Sequence, residues 1–73
     1  MTEDKPTFRH LRERYGLTTT ALAQEARVAP DIVYFMLVER KVERVEAEQV
    51  LAALSRLTGV RYTLADVRVV LWE

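Results

Sequence analysis

Only packing can hold this chain together. Its 73 residues include no cysteine and a single histidine, so disulfides are excluded and the ligands for a structural zinc site are missing. A chain this short lies near the lower size limit at which a hydrophobic core alone stabilises a fold. Its apolar residues must therefore gather into one cluster, and the expectation is one domain over 1–73. Composition permits this: 49% hydrophobic and 30% charged residues is the balance of a globular chain, not a disordered one.

Spacing indicates which elements build the cluster. Phe8, Leu11 and Tyr15 recur at helical intervals, Arg9, Arg12, Glu13 and Arg14 fill the other face, and Gly16 follows as a stop, predicting a helix over about 7–15. Thr18 offers an N-cap to a short second helix over 19–26, whose Leu22, Ala23 and Ala26 form an inward stripe small enough for close approach. Pro30 suits a first helical position and Asp31 the positive end of a helix dipole. Val33 and Met36 then supply the inward pair of a third helix over 30–37. From Arg44 to Thr58, Ala47, Val50, Leu51, Leu54 and Leu57 keep a helical period until Gly59 ends the run. Thr63 to Asp66 has the form of a capping box with Asp66 in the acidic place, enough to nucleate a single turn. The β-branched run Arg68-Val69-Val70-Leu71-Trp72 reads as extended, and should cover the core or pair with something. The expected fold is a compact all-α domain of four to five helices, with its core in about 7–67 and an extended tail over 68–73.

Charge and motif content narrow the function. Eleven basic residues balance eleven acidic ones, so no overall field draws the chain to nucleic acid, and any such site must be locally basic. The apolar runs are only a few residues long and Met1 to Pro6 is polar without a signal-peptide core, so the expectation is a cytoplasmic protein with no membrane partner. His10 has no base or nucleophile to work with, and no catalytic or metal-ligating constellation is visible. A non-enzymatic module with no cofactor and no small-molecule substrate is expected.

The stretch Leu17 to Met36, with its Thr18 cap, the Leu22-Ala23 pair, Ala26, Val28 and the Val33/Met36 spacing, resembles the lambda-repressor-like, or Cro-type, helix-turn-helix family. Val50, Leu51 and Leu54 in helix four extend the resemblance over roughly 8–67. It implies a transcriptional regulator whose third helix enters the major groove of duplex DNA while the start of the second grips a phosphate. Carried onto this chain, that places Thr19, Ala29, Pro30, Asp31, Ile32, Tyr34 and Phe35 at the DNA. Thr19 stands where the family often has glutamine, Arg27 where it often has the turn glycine, and Ala29 where it usually has a serine or threonine cap. Arg27, Arg40, Lys41 and Arg44 are candidate phosphate contacts, diluted by Glu39 and Glu43. One short helix reads few bases, which makes a homodimer a natural expectation.

The chemistry of helix three also points elsewhere. Base readout favours arginine, asparagine or glutamine, whereas this helix offers Asp31, the Tyr34 hydroxyl and the aliphatic Ile32. Ile32, Phe35, Leu37 and Val38 are apolar although Val33 and Met36 already take the inward places. Leaving a Phe or Ile in water forgoes about 1.5–3 kcal/mol, so a cover is expected, either the tail Val69 to Trp72 or a partner. The alternative function is therefore a protein-binding module, natural or engineered, that docks through Asp31, Ile32, Tyr34, Phe35, Leu37 and Val38. Trp72 fits either an interface anchor or a lid over the core.

Overall fold

A computed structural model describes residues 5–72. Among them are four helices, α1 (Phe8–Tyr15), α2 (Thr19–Ala26), α3 (Pro30–Leu37) and α4 (Arg44–Thr58). Met1 to Asp4 and Glu73, which belong to the expected polar N-terminus and extended tail, lie outside the described residues.

Each helix begins and ends for a local reason. The Thr7 hydroxyl accepts from the His10 N–H at 3.1 Å and the Thr18 hydroxyl from the Ala21 N–H at 3.0 Å, so two of the otherwise orphaned first-turn donors are satisfied. Pro30 opens α3, where a missing N–H costs nothing, and Asp31 sits in its first turn. Gly16 and Gly59 close α1 and α4 in the left-handed region, with φ of 66° and 76°.

The core draws on all four helices. Phe8 and Leu11 of α1, Leu22, Ala23 and Ala26 of α2, Val33 and Met36 of α3, and Ala47, Val50, Leu51, Ala53 and Leu54 of α4 are buried, joined by Val42 and Val67 from connecting segments. α4 packs against α2 and α3, and α3 also meets α1. Leu57, expected inside, is 41% exposed. A 15-residue helix is roughly 22 Å long and an eight-residue helix roughly 12 Å, so the last turn of α4 outruns the helices that cover it. Ala53 is buried instead. On the Leu51–Ser55 side of α4 the chain folds back: the Ser55 hydroxyl accepts from the Tyr62 N–H at 2.8 Å and donates to the Leu51 carbonyl at 2.8 Å.

The segment after α4 forms one turn, not a fifth helix. Thr63 donates to the Asp66 carboxylate from its N–H at 3.0 Å and from its hydroxyl at 2.8 Å, and the Asp66 N–H returns to the Thr63 carbonyl at 2.9 Å. The tail then runs extended and pairs with its own chain. Arg68 donates to the Pro6 carbonyl at 2.9 Å, Val42 donates to the Val70 carbonyl at 3.1 Å, and Trp72 donates to the Val42 carbonyl at 3.0 Å. These are two short parallel pairings, Thr7 with Arg68 and Val42 with Leu71.

Tyr15 and Tyr62 fasten this return to α1. Their hydroxyls are 2.7 Å apart and their rings meet edge to face, with centroids 6.3 Å apart. The hydrogen bond to Tyr15, with burial adding to it, raises the Tyr62 pKa above its ordinary value of 10.0. The fold thus favours the neutral phenol, so this contribution is complete below about pH 10 and is lost as pH rises through the higher folded value. Urea midpoints should fall above about pH 10, and Tyr62→Phe should make that fall shallower. Thr18→Ala should lose about 1 kcal/mol in the same urea titrations, whereas Thr20→Ala, at an exposed position in the first turn of α2, should lose less than about 0.5 kcal/mol.

Candidate nucleic-acid interface

Two helices of eight residues, α2 and α3, are joined by Arg27, Val28 and Ala29. The turn has a defined hydrogen-bond pattern: Val28 donates to the Ala23 carbonyl at 3.1 Å and Arg27 to the Gln24 carbonyl at 3.3 Å, the paired bonds of a Schellman motif. The motif requires a left-handed residue, and Arg27 takes that role with φ of 60°. α3 closes in the same way. Arg40 donates to the Phe35 carbonyl at 2.8 Å, Glu39 to the Met36 carbonyl at 3.4 Å, and Glu39 has φ of 59°. Both turns flanking α3 therefore hold a charged side chain where glycine would be relaxed, at a cost of roughly 1–2 kcal/mol each.

Of the residues singled out on α3, Asp31 is exposed, Tyr34 is 54% exposed and Val38, just past its end, is 43% exposed. Ile32, Phe35 and Leu37 are not free. They are half-buried and packed against the core, which corrects the expectation of an apolar outer face led by these three. The cause lies in the neighbours: Phe35 shares a groove with Val70 and Trp72 of the tail, and Leu37 lies beside Arg9 and Arg12 of α1. The tail thus supplies part of the expected cover. Trp72 itself is not a lid, since it is 60% exposed.

Comparison with family models, curated proteins and solved structures finds no match to this chain. Arg27 is exposed ahead of α3; Arg40, Lys41 and Arg44 are exposed beyond it; Thr19 is half-buried in the first turn of α2. Ala29 and Pro30 are exposed at the mouth of α3. The Arg40 guanidinium lies 5.6 Å from the centre of the Phe35 ring, and the Lys41 ammonium 5.0 Å from that of Trp72.

Two cations missed in the sequence stand on the other flank. Arg9 and Arg12 share a recess of about 210 Å³ with Tyr34, Leu37 and Val38. Arg12 donates from Nη1 to the Leu17 carbonyl at 3.0 Å, while its buried Nε has no partner among the described residues. Their three-residue spacing, which puts both on one helix face, is the signal for them in the sequence. Among the described residues no group of three or more His, Cys, Asp or Glu is placed to hold a metal, and no helix is long and apolar enough to cross a membrane.

Relaxing the two left-handed positions separates geometry from charge. Arg27→Gly and Glu39→Gly are each expected to raise stability, by up to about 1 kcal/mol in urea titrations. A loss of stability in both would mean that their side chains hold the turns by some other interaction.

Proposed function

We propose that this chain is a lambda-repressor-like helix-turn-helix domain that binds duplex DNA, with α3 presented to the major groove. The observation that carries the reading is the placement of exposed cations at both ends of α3, whose outer side carries Asp31 and Tyr34: Arg27 before the helix and Arg40 and Lys41 after it. Arginine and lysine at the two ends suit the phosphates on either side of a groove, and the open N-terminal turn of α3 adds a partial positive charge. Within the groove, the Asp31 carboxylate can accept from a cytosine amine, and the Tyr34 hydroxyl can donate or accept. No bidentate arginine, asparagine or glutamine is available on α3, so discrimination between sequences is low and phosphate contacts dominate affinity. A second copy bound to an adjacent half-site would raise both.

Fluorescence anisotropy with random-sequence duplex DNA tests this. Affinity should fall with salt, and Arg27→Ala and Lys41→Ala should each lower the logarithmic salt slope by about 1 without changing the circular dichroism spectrum. Absence of binding at low salt would sink the reading.

The second reading is a protein-docking surface on α3, and the exposure of Tyr34 and Val38 favours it. Burial of Ile32 and Leu37 narrows that surface to Asp31, Tyr34 and Val38, with Phe35 at its edge. Self-association that survives high salt and disappears in Val38→Asp, measured by sedimentation, would favour this reading over the first.

A further inference from the structure

Phe35 at the end of α3 and Val70 and Trp72 of the tail line a groove of about 650 Å³, with Glu39, Arg40 and Lys41 around it. Trp72 is held here by its backbone, through the bond from its N–H to the Val42 carbonyl, yet its side chain is 60% exposed. A large ring on a tethered backbone, left open to water, is an anchor point, since its burial by a ligand requires ordering of the side chain alone. The cations are also placed: Arg40 lies against Phe35 and Lys41 against Trp72, and among the described residues neither forms an ion pair. Among the described residues Glu39 is the one acidic residue lining the groove.

We propose that this groove binds an acidic peptide segment bearing an apolar side chain. The apolar side chain occupies the space between Phe35, Val70 and Trp72, and carboxylates on either side of it meet Arg40 and Lys41. Charge complementarity selects this occupant. An unpaired nucleic-acid strand is also anionic, but stacking needs open aromatic faces. Here a cation caps one face of each ring, and Phe35 is half-buried. The inference is independent of duplex binding, although both uses draw on Arg40 and Lys41, so the two ligands should compete.

The probe is a fluorescein-labelled peptide of roughly ten residues in which aspartates flank a Leu-Phe pair, titrated into the full chain by anisotropy. Binding should weaken at least about five-fold when Ala-Ala replaces Leu-Phe, when lysines replace the aspartates, or when an oligothymidine of similar length replaces the peptide. Trp72→Ala and Lys41→Glu should each weaken it by a similar factor of about five, with circular dichroism confirming that both variants fold. Arg27→Ala, remote from the groove, should leave peptide binding unchanged while weakening duplex binding, so failure of one reading is distinguishable from failure of the other. The proposal is overturned if the Ala-Ala peptide binds as well, if the oligothymidine binds more tightly, or if Trp72→Ala and Lys41→Glu have no effect.

Discussion

Everything else in this domain depends on how closely α2 can approach α4. Both helices place small residues inside, Ala23 and Ala26 on α2 and Ala47 and Ala53 on α4, around the larger Leu22, Leu51 and Leu54. Alanine at such positions allows backbones to come near enough for the larger neighbours to interdigitate. At the end of this contact Arg56 donates to the Glu25 carboxylate at 2.7 Å and to the Glu25 backbone carbonyl at 2.9 Å. The pair is exposed and contributes little in free energy, but it fixes the end of α2 from which the turn to α3 departs. α3 therefore inherits its position from the α2–α4 contact, with Val33 and Met36 turned inward and Asp31 and Tyr34 outward.

Most of this architecture was legible in the amino-acid sequence because it rests on local rules. Thr18, Pro30, Gly16 and Gly59 mark helix ends by their own chemistry, and the inward stripes of α1, α2 and α3 follow from a 3.6-residue period. Periodicity went wrong at Leu57 because a period says nothing about where neighbouring helices stop. Val42 and Val67 were not anticipated as core residues, since each is a buried residue in a connection with no pattern around it.

The candidate site was less legible, and for a physical reason. What half-buries Phe35 is a tail held by backbone hydrogen bonds to Pro6 and Val42, and such bonds leave no side-chain signature. The two left-handed residues at the borders of α3 carry the wrong letters for their conformation: arginine and glutamate stand where glycine or asparagine would have announced a turn. Local preference and global structure disagree at these two positions, on either side of α3.

The tail pairings also shape how the domain comes together. Helix contacts such as those of α2 with α3 link residues a few positions apart, whereas Thr7 and Arg68 are about sixty positions apart and must wait for a large loop to close. The helical cluster can therefore condense first, with the pairing of Thr7 with Arg68 as a late step. Opening runs in the reverse order: the least costly excursion from the native state lifts the tail, and the first aromatic ring it uncovers is that of Phe35.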